Sequence, residues 1–302
     1  MLQILKWAGL VVLILAALAA LLLFWLSRRP SVPENYTKTV ETGGEIEARY
    51  LAMGEHEVSR FESAALMSFK KYEIYYPSDI ADFAGPLPVV VFVNGTGVGV
   101  SKYPALLEHM ASWGFIAVGT EEEHAWNGFS AEMCLRYLEF LNGFDGDGNV
   151  FLGRVDLDRV GISGHSQGGY GVVNALTAWE HKDCYKAAVI LSSSARSNEA
   201  IGWSADASLI EAPTLIIGST GTADAALAPL ESLQALYARI PDGVPKILAR
   251  RSGADHGETL YCADGYVTAW FMYWLQNAPS AAPHAELQTN PLYQNAATNL
   301  PQ

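Results

Sequence analysis

Positive charge is scarce in this sequence: 19 Lys and Arg stand against 32 Asp and Glu, a formal net charge of −13 over 302 residues. Three of those cations, Lys6, Arg28 and Arg29, fall in the first thirty residues with no acid beside them, so the rest is more acidic still. Such a body is repelled by phosphate backbones and anionic headgroups, which argues against nucleic acid as a partner. Cysteine is scarcer: Cys134, Cys184 and Cys262 are the whole complement. An odd count allows one disulfide plus a free thiol, or three reduced thiols, and no pair has metal-ligand spacing. Nothing in the chain calls for a metal or an organic cofactor. Internal repeats are also lacking, which excludes solenoids and propellers.

What the sequence does have is apolar residues, 50% of the total, enough for the core of one large α/β domain. Its first long apolar run, Trp7 to Leu26, is twenty residues without a charge. At about 1.5 Å per residue a helix of that length spans a bilayer core, and Trp7 and Trp25 sit where indoles favour the interface. The run is longer than the apolar region of a signal peptide, the competing reading. Residues 1–26 are therefore expected to be a membrane anchor. Residues 27–39, with Pro30 and Pro33, form its extended tether. Lys6 precedes the run and Arg28, Arg29 and Lys38 follow it, a pattern that by the positive-inside rule counts against export. The body is nevertheless taken as extracytoplasmic, with the side left open.

From residue 40 to 278, apolar runs with strand character alternate with segments of helical period. The strand runs are 69–76, 88–94, 115–119, 159–164, 187–192, 214–218 and 244–250. Helical patterns cover 103–112, 130–141, 167–179, 229–240 and 265–276. This alternation predicts a doubly wound, mostly parallel sheet with helices on both faces. Ligands of such sheets bind beyond the carboxyl ends of the strands. The final stretch, 279–302, is rich in Ala, Asn, Pro and Gln and is expected to be irregular. Asp145-Gly146-Asp147-Gly148-Asn149 has the look of a calcium loop, but Val150 stands where that loop needs glycine, and a turn is expected instead.

One loop carries a chemical signature. Gly164-His165-Ser166-Gln167-Gly168 joins a strand to a helix and has the form G-x-S-x-G, the nucleophile elbow. Glycines at its ends let the chain turn tightly while Ser166 is held with its hydroxyl exposed. A serine hydroxyl needs a base, and the base needs an orienting acid. In elbow proteins the chain order is Ser, acid, His. Asp224 follows the strand 214–218 and His256 follows the strand 244–250, each at a carboxyl end and in that order. Asp206 precedes its strand, Asp242 follows a helix, and Asp255, adjacent to the histidine, is expected to point elsewhere. His124 precedes the serine and suits a surface or substrate-contact role. The oxyanion of an acyl-transfer step needs two backbone donors. Gln167, after the serine, supplies one, and Thr96, in the glycine turn Asn94-Gly95-Thr96-Gly97, the other.

With these residues assembled, the chain resembles the α/β-hydrolase family, and within it the lidless bacterial cutinase, polyester hydrolase and dienelactone hydrolase group. The resemblance covers about residues 69–276. It is carried by Pro88-Val89-Val90-Val91-Phe92-Val93-Asn94-Gly95, Gly164-His165-Ser166-Gln167-Gly168-Gly169, Ala212-Pro213-Thr214-Leu215-Ile216-Ile217-Gly218 and Gly253-Ala254-Asp255-His256. It implies a cofactor-free carboxylic ester hydrolase acting on an ester substrate through Ser166, Asp224 and His256. Two departures stand out: Thr96 occupies the second oxyanion position, where an aromatic residue is usual, and Ser194-Ala195-Arg196 lies where a tryptophan is expected. Trp126 and Trp203 are the candidates to supply the missing aromatic contact to substrate. About twenty residues separate the strands ending near 192 and starting at 214, too few for a large lid, which implies an open groove. A tethered binding protein on the same scaffold, or a peptidase or thioesterase with the same triad, are the alternatives.

Overall fold

The computed structural model describes residues 29–195 and 202–301. Its body, Val32–Gln302, is organised on one nine-stranded sheet. The strands are β1 Val58–Ala64, β2 Lys71–Pro77, β3 Leu87–Val93, β4 Ile116–Thr120, β5 Val155–His165, β6 Tyr185–Leu191, β7 Thr214–Ser219, β8 Lys246–Arg251 and β9 Tyr293–Thr298. They lie in the order β1-β2-β4-β3-β5-β6-β7-β8-β9. From β4 to β8 every pairing is parallel, while β1, β2 and β9 close the two edges antiparallel.

The helices are α1 Tyr36–Thr39, α2 Glu45–Leu51, α3 Pro104–Ser112, α4 Phe129–Gly143, α5 Gln167–Ala178, α6 Thr222–Leu227, α7 Leu230–Arg239, α8 Thr259–Cys262, α9 Asp264–Leu275 and α10 His284–Thr289. Strand β3 shows how the layers form. Every residue of it is buried, and its side chains alternate between two cores. Val89, Val91 and Val93 join the apolar faces of α4, α5 and α7, among them Leu135, Val172 and Leu233. Val90 joins Leu107 of α3 and Trp270 and Phe271 of α9 on the opposite face. Being apolar on both faces, such a strand needs helices on both sides, and the crossovers supply them.

Two expectations change, and a third falls outside what the structure describes. The N-terminal run expected as an anchor, residues 1–26, lies outside the described residues; among those described, no helix is long and apolar enough to cross a membrane. The folded body begins before residue 40: Val32 and Tyr36 are buried, and the end of the expected tether coils into α1. The segment 279–302 is ordered rather than irregular. It supplies α10 and then β9, which pairs with β8. The edge position explains the weak signal, because β9 buries fully only Tyr293 and needs no apolar run. Strand β1, half exposed on the other edge, is equally faint in the sequence. The loop at 145–149 is a turn whose Asn149 side chain caps the end of α4, donating to Leu141 O at 2.6 Å and Phe144 O at 2.7 Å.

Candidate active site

Strand β5 ends at His165, α5 begins at Gln167, and Ser166 between them has φ 56° and ψ −118°, a conformation that non-glycine residues adopt only where the surroundings enforce it. The enforcement is steric. A Cβ on Gly164 would lie 2.3 Å from Gly168 O, and one on Gly168 would lie 2.2 Å from Val93 O, so the first turn of α5 presses directly on β5 and β3. The glycines of the G-x-S-x-G pattern are therefore demanded by backbone contact.

Two loops arrive from the neighbouring strands. After β7, α6 carries Asp224, fully buried; after β8, the loop 252–258 carries His256. His256 Nε2 is 2.9 Å from Ser166 Oγ, and His256 Nδ1 is 2.7 Å from Asp224 Oδ1. The second oxygen of Asp224 accepts the Ser219 amide, which fixes the carboxylate plane. Thr259 Oγ1 links the ends of β6 and β7: it accepts from Ser192 Oγ at 2.8 Å and shares a hydrogen bond with Ser219 Oγ at 2.6 Å. The three residues singled out from chain order are thus contiguous in space, although 58 and 32 positions apart.

On the other side of Ser166 is the turn after β3. The position of a Cβ on Gly95 would be 3.7 Å from Ser166 Cβ, so this turn lies against the nucleophile elbow, with Thr96 next in the chain and exposed. Asn94 holds the turn in place: its Nδ2 donates to Thr120 O at 2.7 Å and Glu122 O at 2.8 Å, and Tyr103 Oη donates to its Oδ1. Neither Thr96 N nor Gln167 N donates to another group among the described residues.

Two side chains not assigned to the site take part in its architecture. His165 donates from Nε2 to His256 O at 2.7 Å, with the ring centroids 4.7 Å apart. Burial and, second, the neighbouring His256 push its pKa down to about 4, so the ring is a neutral donor at ordinary pH. Asp255, expected to point away, turns into the site: its Oδ1 accepts the amides of Asp224 and His256. Neither role leaves a mark in the pattern of residue types.

Trp126 and Trp203 are partly buried and pack against the core formed with α5. Trp203 stands edge-on to Tyr170 at 5.3 Å, and Trp126 O accepts Asn174 Nδ2 at 2.9 Å. Both brace α5, the helix that follows Ser166. His124, in the loop after β4, is exposed, in keeping with a surface position. All three cysteines are free, and burial pushes the Cys262 thiol up to about 11, which leaves little thiolate.

With His256 Nε2 2.9 Å from Ser166 Oγ, the arrangement can pass a hydroxyl proton from Ser166 to His256. The chain is similar to the bis(hydroxyethyl) terephthalate hydrolase of Streptomyces coelicolor, 27% identical over 199 residues, 64% of this chain and 57% of that protein. It spans a little over half the length of that relative. The family described as PET hydrolase-like matches residues 37–278, from α1 through the end of α9 and so across every loop of the site. The chain belongs to the PET hydrolase-like family.

Proposed function

We propose that the chain is a carboxylic ester hydrolase that works through an acyl-enzyme intermediate on Ser166. The observation that carries this reading is the unbroken relay of 2.9 Å from Ser166 Oγ to His256 Nε2 and 2.7 Å from His256 Nδ1 to Asp224 Oδ1. Ser166 Oγ attacks the ester carbonyl as its proton passes to His256 Nε2. Asp224 accepts the Nδ1–H, holding the tautomer in which Nε2 has a free lone pair. The amides of Thr96 and Gln167 stabilise the tetrahedral oxyanion. His256 then gives its proton to the departing alcohol, and a water, deprotonated by the same imidazole, releases the acid.

Family membership and the terephthalate diester named for the relative favour esters of aromatic acids. Thr96 brings no aromatic ring to the oxyanion turn, which favours small soluble diesters over a clamped polymer chain. Residues 7–26 are proposed to anchor this activity to a membrane, with the body extracytoplasmic; resistance of the full chain to alkaline extraction from the membrane fraction tests the anchor.

The decisive experiment is turnover of p-nitrophenyl butyrate and bis(hydroxyethyl) terephthalate by the wild type and Ser166→Ala, with fluorophosphonate labelling in parallel. The expected loss is about 10⁴- to 10⁶-fold in kcat. Wild-type turnover by the alanine variant refutes Ser166 as the nucleophile, and a wild type that neither turns over these esters nor labels at Ser166 leaves a binding protein on this scaffold.

A further inference from the structure

Helix α6 carries Asp224 but has no cap of its own. Its N-cap position is Gly221, so no side chain there can meet the first free amides. Nor could one be introduced: a Cβ on Gly221 would lie 2.6 Å from Ala254 O and 2.7 Å from Asp255 Cα. The two loops touch at this point, with Gly221 N donating to Ala254 O at 2.8 Å.

The acceptor comes from the other loop. Asp255 Oδ1 accepts Asp224 N at 2.9 Å across 31 positions of sequence, and the same oxygen accepts His256 N at 2.8 Å. Accepting these amides, Asp224's first and then His256's, holds the Asp255 carboxyl below the usual range.

An aspartate at the head of a helical turn more often caps that turn. Asp255-His256-Gly257-Glu258 has the spacing of a capping box, in which the aspartate side chain takes the amide of the third following residue while the glutamate reaches back. Only the return half forms: Glu258 Oε2 accepts Asp255 N at 2.8 Å. Glu258 N bonds to the backbone carbonyl of Asp255 at 2.9 Å, and the carboxylate is diverted to α6.

We infer that Asp255 is a positioning residue: it caps in trans the helix that carries Asp224, and so sets the spacing between Asp224 and His256. A single oxygen atom holds the backbones of both residues, so the separation of their side chains is defined from a common point. Asp224 has little freedom to compensate, because its second oxygen is tied to Ser219 N. Moving the common point therefore moves the relay. The inference rests on the assignment of Ser166, His256 and Asp224 as the catalytic residues.

Three variants of the full chain test it, with kcat and KM on p-nitrophenyl butyrate and a thermal midpoint for each. Asp255→Ala removes the acceptor, and kcat falls about 10- to 100-fold with KM unchanged, the cost of a displacement near 1 Å in a catalytic group. Asp255→Asn keeps an acceptor oxygen in place without the charge and stays within about tenfold of wild type. Asp255→Glu keeps the charge but moves the acceptor by one methylene, and it loses activity as alanine does. If the alanine variant does not fold, the ranking of Asn above Glu decides. Wild-type kcat in Asp255→Ala, a lowered thermal midpoint with kcat intact, or a Glu variant as active as Asn overturns the inference. Because Ser166→Ala is assayed alongside, an inactive alanine at 166 beside unaffected 255 variants removes this inference alone, whereas an active one removes the catalytic assignment itself.

Discussion

His165 and His256 are joined by a hydrogen bond from the ring of the first to the backbone of the second, Nε2 to O at 2.7 Å. A carbonyl only accepts, so Nε2 carries the hydrogen and the ring must stay neutral at Nδ1 or gain a proton that burial disfavours. The histidine between Gly164 and Ser166 thus steadies the loop of His256, the proposed base, and it does so uncharged.

This neutrality gives the fold a dependence on acid. The folded-state pKa of His165 is about 4, below the roughly 6.5 of an unfolded histidine, so between those values the unfolded chain binds the extra proton. The destabilisation is absent above about pH 6.5 and grows as pH falls towards 4. Denaturant midpoints measured from pH 7 to pH 4 should therefore decline more steeply in the wild type than in His165→Gln, which cannot titrate. Parallel declines would show that His165 contributes nothing to acid sensitivity.

The parts of the molecule legible in the sequence are those where one physical requirement acts alone. Strand β3 is buried on both faces, so Leu87–Val93 could be nothing but apolar, and the run shows it. The elbow needs Gly164 and Gly168 because backbone lies where their side chains would be. Chain order then picks out Asp224 and His256. The parts that were faint depend on contacts between distant residues. Strand β9 is held by its pairing with β8 and by polar bonds such as Asn299 Nδ2 to Val244 O at 2.8 Å, and it lacks an apolar pattern. Asp255 reads locally as a capping residue and becomes a clasp only when α6 is beside it.

Gly168→Ala should be among the most damaging methyl additions in the chain. The new Cβ would lie 2.2 Å from Val93 O and 2.9 Å from Asn94 O, both backbone atoms that cannot rotate away. Helix α5 must lift off β3, carrying the Gln167 amide with it. A loss of about 1–3 kcal/mol and a fall in kcat are expected, read by denaturant unfolding and p-nitrophenyl butyrate turnover. Gly257→Ala, where a Cβ meets nothing within 4 Å, is the control and should change stability by less than about 0.5 kcal/mol. Equal effects at the two positions would contradict the steric account.

Asp224→Asn isolates the acid from its shape. The carboxylate takes the Ser219 amide on one oxygen and the imidazole on the other, both as acceptor. An asparagine that keeps its oxygen on Ser219 N presents an NH₂ to His256 Nδ1, which then cannot donate and shifts its hydrogen to Nε2, facing Ser166. A kcat lower by about 10⁴-fold with KM near wild type is expected, since the wrong tautomer removes the base and leaves binding intact. A variant with kcat within tenfold of wild type would place the orienting acid elsewhere.

The segment just before α2 is part of the fold, and one buried carboxylate shows how. Asp264 Oδ2, at the start of α9, accepts Tyr36 Oη at 2.5 Å and lies 2.6 Å from His109 Nδ1, an ion-pair contact rather than a well-aligned hydrogen bond. The other nitrogen of His109 is 2.9 Å from Ala52 O. Burial opposes charge on His109, but Asp264 beside it prevails and raises its pKa above that of an ordinary histidine. The stabilisation is therefore complete below about pH 6.5, where the unfolded histidine is also charged, and is lost as pH rises through the folded value. Tyr36→Phe removes one of the two partners of a buried carboxylate and should cost about 1–3 kcal/mol, while Lys38→Ala, on the exposed side of the same turn, should cost almost nothing. Asp264→Asn should flatten the decline of the thermal midpoint above pH 6.5. If Tyr36→Phe matches wild type and the alkaline slope survives in Asp264→Asn, the N-terminal segment is held by its apolar contacts, Val32 and the Tyr36 ring, and the carboxylate is incidental to it.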